Sequence, residues 1–298
     1  MASPSTPTHG KLAAIYRLRP NGFKGNGLND LTWGTGFAGA SSMYYEVVID
    51  GTGTPDTFKW RNTGGGWTTT VSITGAAQTL DNSQTITFAA TTGHTTNDQW
   101  TIGNFKDEAT TESGADAQVT AAAYRILNPN SPPTFTDDGS ETVLILDYTR
   151  GQATFTGNVG NVDVDGNNGF IVRSGLELQG YLYGWEFAPG LDLAEISRCG
   201  QKWKEYIPGQ GNAKGSAELY YIGVDSFWDD FLDNADGTQK YHYLELFNYD
   251  PDADQTGDHW RAWVTFTGFS VDGADVGNVV KEKIGFEVLG SPSFTANS

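Results

Sequence analysis

The sequence predicts a mostly-β protein, and three observations predict it. Short β-branched and aromatic runs recur at roughly 8–12-residue spacing with turn formers between them. Later segments alternate apolar and polar residues with period two. Gly (38 residues) and aromatics (9 Trp, 13 Tyr, 16 Phe) are abundant in the 298 residues, a composition of strands joined by turns rather than of helices.

Residues 1–43 are Gly-rich, with one strand expected at 12–18. From Tyr44 the texture changes: runs at 44–50, 58–61, 67–73, 84–90 and 98–103 are strand candidates, divided by Gly64-Gly65-Gly66, Asp81-Asn82-Ser83 and similar turns. Residues 44–105 are therefore expected to form a small inserted β module. Its Trp60, Trp67 and Trp100 have two readings, core or sugar-stacking platform, and core is favoured in so small a module. After a polar stretch at 106–118, strands are expected at 142–148 and 153–156 around a turn at Gly151. Period-two segments follow: Leu176/Leu178/Leu182, Ala217/Leu219/Tyr221, Leu244/Leu246, Trp260/Ala262/Val264/Phe266 and Ile284/Phe286/Val288. One helix is expected, capped by Asp225 or Ser226, with Phe227, Trp228, Phe231 and Leu232 as its apolar stripe and Gly237 as its stop.

Charge narrows the function. The chain carries 18 Lys+Arg against 36 Asp+Glu, a net −18. Residues 1–105 hold six of each sign, so the entire imbalance lies in the remainder. Such acidity opposes tight phosphate binding, which needs cations to displace counterions. A lone Cys199 excludes a disulfide framework and a Cys-based zinc site within one chain, in keeping with a reducing cytosol. The N-terminal residues show no basic-then-apolar export pattern, and the longest aliphatic run, Val143-Leu144-Ile145-Leu146, is far too short to span a membrane.

No catalytic constellation stands out. His9, His94, His242 and His259 form no spaced metal-ligand set, and paired carboxylates carry no specificity among so many acids. Asp163-Val164-Asp165-Gly166-Asn167-Asn168 resembles a calcium loop, but Asn168 and Ser174 stand where Gly and Glu are required. Asp250, Asp252, Asp254 and Asp258 crowd a second loop; turn formation accounts for both. No enzyme, cofactor or metal is expected.

One motif is more specific. Lys202-Trp203-Lys204-Glu205-Tyr206-Ile207-Pro208-Gly209, followed by Gly215-Ser216-Ala217-Glu218-Leu219-Tyr220-Tyr221, resembles the turn and strand of tail tube (major tail) proteins of long-tailed bacteriophages. Further segments resemble that family in order: His9-Gly10-Lys11 through Tyr16, Ala123-Tyr124-Arg125-Ile126, Leu146–Phe155, and 272–290 with its Ile284-Gly285-Phe286-Glu287-Val288-Leu289-Gly290. The resemblance covers roughly 1–43 and 106–298 and skips 44–105. It implies a discontinuous tail tube domain, a β-sandwich or barrel with one flanking helix. The skipped module is then a decoration of the outer tube wall.

The resemblance also implies self-assembly into rings, six subunits each, stacked as a hollow virion tube assembled in the host cytoplasm. Other tail proteins would meet the tube ends, a tape-measure protein would lie inside, and DNA would pass without specific binding. Lys202, Trp203, Lys204, Tyr206 and Pro208, a basic-aromatic patch in an acidic half, are expected in a loop at a subunit or ring–ring interface, the alternative being a buried turn within the monomer. Glu177, Glu218 and Glu287 are the candidates to face the bore, where like charge would let DNA slide. Rival readings are a carbohydrate- or receptor-binding tail component using the Trp-bearing module, and a secreted β-sandwich glycosidase.

Overall fold

The computed structural model describes residues 13–19, 21–195, 206–220, 241–247, 259–272 and 281–295. Among them the chain is almost wholly β: nineteen strands, two single-turn 3₁₀ segments, and no α-helix. The helix expected near 225–237, the Asp250–258 loop, and Lys202, Trp203 and Lys204 lie outside the described residues.

The chain divides into two compact units. The first comprises residues 1–15, 179–240 and 245–298; the second comprises 16–178 and 241–244. Module boundaries expected at 43/44 and 105/106 differ from this division, for two physical reasons. Strands β2 (Phe23–Lys24) and β3 (Leu31–Trp33) contribute Phe23 and Leu31 to one core with Val47, Ile49, Phe58, Ile86, Phe88 and Trp100. Strand β9 (Gln99–Ser113) runs straight through residue 105. Its first half pairs with β4 (Met43–Gly51), and its last four residues pair with β10 (Asp116–Val119).

The second unit thus has two cores served by one strand. The other core gathers Phe105, Val119, Leu127, Phe135, Phe155, Val164 and Phe170. Strand order runs from β12 (Val143–Asp147) through β13 (Gln152–Phe155), β10, β9, β4 and β5 (Thr57–Asn62) to β6 (Thr68–Ser72). A small sheet of β3, β8 (Thr85–Phe88) and β7 (Gln78–Thr79) packs its Leu31, Ile86 and Phe88 into the first core. The Asp163–Asn168 segment lies within β14 (Val162–Phe170), which pairs with β9 and with β11 (Thr134–Asp137). Its turn formers coincide with register shifts in the β9 pairing, and Asn168 adopts φ 53°.

Buried polar residues fix the loops of the first core. The His94 ring lies between two carboxylates, Nδ1 3.0 Å from Asp56 and Nε2 2.9 Å from Asp30. The remaining carboxylate oxygens accept backbone N–H groups of Gly53 and Ala90. Burial pushes the Asp56 carboxyl up, but hydrogen bonds from Gly53 and from the His94 ring and backbone, with the attraction of the ring, hold it below its ordinary 3.8. Asn104, fully buried, donates to Gln84 and accepts from the Asn168 N–H, tying one core to the other.

The remaining strands close a barrel in the order β1 (Ala13–Leu18), β15 (Glu177–Glu195), β16 (Tyr206–Tyr220), β19 (Lys281–Thr295), β18 (His259–Asp272), β17 (His242–Phe247). Closure leaves no free edge along this path.

Candidate functional site

The barrel wall built by β15, β16, β19 and β18 is the region that carries the quoted motif. Period two assigns its faces. Leu182, Ala213, Ala217, Leu219, Ala262, Val264, Phe266, Ile284 and Phe286 are buried on one side. The opposite face presents Gly184, Glu186 and Ala188 from β15, and Lys214, Ser216 and Glu218 from β16. From β19 it presents Lys283, Gly285 and Glu287, and from β18 Thr265 and Thr267. These side chains are small or charged, and most are exposed.

Register decides what the charges do. Lys214 and Glu218 stand four residues apart on β16, as do Lys283 and Glu287 on β19. Antiparallel pairing sets Lys214 opposite Glu287 and Glu218 opposite Lys283. Both pairs close, at 2.6 Å and 3.0 Å. The pairs are solvated, so each contributes at most about 1 kcal/mol to stability. Their consequence is electrostatic: each lysine ammonium is held by a carboxylate on the next strand.

The expected site residues are therefore divided. Glu218 and Glu287 share one open face. Glu177 lies at the start of β15, outside the β15–β16 ladder, 3.8 Å from Arg19 with both side chains largely buried. Tyr206 and Pro208, expected in a loop, lie in β16 opposite Glu195 and Leu193, so the Tyr-Ile-Pro-Gly segment continues the strand rather than turning. Sequence reading missed Lys214 and Lys283. The signal for them was present, since Lys-x-x-x-Glu on both strands is self-complementary when antiparallel.

The module's tryptophans also separate. Trp100 is fully buried and Trp60 packs against the same core, whereas Trp67 is 38% exposed. Lys59 Nζ and Arg61 Cζ lie 4.8 and 4.6 Å from the Trp67 ring centroid, a cation–π cluster on the β5–β6 edge. Arg61 also pairs with buried Glu46, which raises the Arg61 pKa further. No group of three potential metal ligands occurs among the described residues. No helix there is long and apolar enough to cross a membrane.

No protein-family model matches the chain, and no curated protein matches it. Among solved structures, it is similar in part to a chain from the tail of an empty gene transfer agent particle with C6 symmetry. That match has 15% identity and a TM-score of 0.30, over 41% of this chain and 87% of that one. It is likewise similar to a chain from the virion of a native gene transfer agent particle, with 16% identity and a TM-score of 0.31, over 41% of this chain and 89% of that one.

Proposed function

We propose that the chain is a structural, non-enzymatic subunit of a phage-type tail tube, self-assembling into stacked rings around a bore that passes DNA. The observation that carries the reading is the open barrel wall, which combines the family-like Tyr206–Tyr220 segment with a face of small and mutually neutralised side chains. Of the residues quoted for the resemblance, Leu146–Phe155 spans the β12–β13 hairpin and Ile284–Gly290 lies in β19, while Ala123–Tyr124 lies in a 3₁₀ turn.

In this reading the Glu218 and Glu287 face lines the bore. A wall that must pass DNA needs lysines unable to grip phosphate. Glu218 and Glu287 occupy Lys283 and Lys214, so a phosphate would have to displace a carboxylate already in place. The surplus acidity of the chain adds a general repulsion. Lys202, Trp203, Lys204, Tyr206 and Pro208 remain the proposed ring-contact patch.

Negative-stain microscopy of the concentrated protein tests the proposal. Rings or tubes with a central hole are expected; a chain that stays monomeric refutes it. The rival receptor-binding reading draws on exposed Trp67, and glycan retention abolished by Trp67→Ala would favour it instead.

A further inference from the structure

Strands β10 and β13 turn Ala117, Val119, Ala153 and Phe155 into the second unit's other core. Period two therefore sends Asp116, Gln118, Gln152 and Thr154 outward, beside Thr111 and Ser113 from the end of β9. Register gathers these side chains into two rows. Ser113, Asp116 and Thr154 form one, and Thr111, Gln118 and Gln152 form the other. The rows border a cavity of about 320 Å³ lined by Thr111, Ser113, Asp116, Gln118 and Gln152. Its hydrogen-bonding capacity is only partly used. Asp116 Oδ1 accepts the Thr154 hydroxyl at 2.6 Å, and the Gln118 amide donates to the Arg150 carbonyl at 3.0 Å. The Thr111 and Thr120 hydroxyls share a bond of 3.2 Å. Asp116 Oδ2, Gln118 Oε1, the Ser113 hydroxyl and the Gln152 amide have no protein partner among the described residues.

These groups select a ligand by elimination. No lysine or arginine lines the cavity, so a phosphate or carboxylate finds no counter-charge there. One carboxylate is too few for a metal ion. An amine would satisfy Asp116 but leave the Gln152 N–H groups without an acceptor. An apolar molecule would strand every free polar group. A peptide strand adds to an open sheet edge, whereas this is a sheet face whose main-chain groups are already in ladders. Hydroxyls both donate and accept, which matches the acceptors Asp116 Oδ2 and Gln118 Oε1 set among the donors of Gln152 and Ser113. Strands about 4.8 Å apart and rows about 7 Å apart give the face the span of a six-membered sugar ring with its hydroxyls.

An apolar flank completes the match. Register sets Ile145 of β12 opposite Thr154, one strand beyond Asp116, and Ile145 is 64% exposed with its neighbour Leu144 at 62%. A sugar ring has a C–H face as well as hydroxyls, and covering aliphatic surface with it removes both from water. We propose that this face binds a neutral pyranose unit of a glycan, with Asp116 and Gln152 as its hydrogen-bonding anchors and Ile145 as its apolar flank. The site goes beyond the tube reading and uses neither the barrel wall nor Trp67.

Saturation-transfer NMR of the full chain with methyl glucoside, methyl galactoside and methyl mannoside tests it. At about 10 mM ligand, where a millimolar site is nearly filled, at least one pyranoside is expected to give ring-proton signals. Gln152→Ala and Asp116→Ala, both at outward positions, should keep the wild-type circular dichroism and each raise the apparent Kd about tenfold. Trp67→Ala should leave it unchanged. Silence from all three pyranosides overturns the proposal, as does a signal that survives both Gln152→Ala and Asp116→Ala. Loss in Trp67→Ala alone moves glycan binding to the β5–β6 edge and overturns it too. Equal signal from glycerol, which has hydroxyls but no ring, does the same. Rings or tubes are read separately in the microscope, so a chain that assembles yet binds no pyranoside overturns this inference and leaves the tube reading standing.

Discussion

Replacing His94 with Ala removes the ring that joins three loops of the first core. The structure allows the cost to be worked out. Two hydrogen bonds to ionised carboxylates disappear, at about 1.5–3 kcal/mol each. Edge contacts to Phe88 (centroids 5.2 Å apart) and Trp100 (6.3 Å) go with them, at about 0.5–1.5 kcal/mol each. The backbone N–H groups of Gly53 and His94 still serve Asp56, and Asp30 is partly solvated, which returns some of the loss. Set against those returns, the lost hydrogen bonds and ring contacts leave an expected net cost of about 3–5 kcal/mol. Hydrogen exchange at the Ile49 and Asn97 amides, which bond across this region, should therefore accelerate by about two to three and a half orders of magnitude. The pH dependence has a definite sign. Asp56 is held below its ordinary value, so its stabilisation is complete above about pH 4 and fades as pH falls through the depressed value. The gap between wild type and H94A should narrow in that acid range. Exchange in H94A within fivefold of wild type at neutral pH would refute the reasoning.

Other expectations are independent of that clamp. Asn104→Leu strands the Gln84 side-chain oxygen and the Asn168 N–H in a buried site and should cost about 2–4 kcal/mol, read by denaturant unfolding. Gly103→Ala places a Cβ 2.4 Å from the Phe170 ring, where β14 crosses β9, and should lower stability by about 1–3 kcal/mol in the same assay. Glu218→Gln with Glu287→Gln removes the carboxylates that pair with Lys283 and Lys214 and leaves the face with a net positive change in charge. The assembled variant should retain duplex DNA at low salt where wild type does not, with the difference lost as salt rises.

Much of this architecture was legible because it rests on local chemistry. Strands at 44–50, 58–61 and 153–156 appear where β-branched runs and turn formers placed them. The polar half of β9 did not announce itself: Lys106–Ser113 has burial alternating between partial and exposed, so neither face is apolar enough to show a period. Tyr206–Gly215 reads as a turn because Pro208, Gly209, Gly211 and Gly215 are turn formers, yet the β15 ladder holds much of it extended, and β19 joins from Lys214 on. Phe23 and Leu31 joined the module core from a Gly-rich segment with no periodicity, because tertiary packing recruited them. The open wall was half visible. Glu218 and Glu287 could be found as period-two acids, but their lysine partners depend on a register set between strands 65 and more residues apart.

The shared strand β9 has a practical corollary for anyone wishing to swap the Trp-bearing segment for a cargo domain. Excision at residue 105 would cut through the middle of a continuous ladder and leave β14 without half its neighbour. Grafting points belong instead at exposed turns such as Gly64–Gly66, where the backbone is open to solvent and no ladder is severed.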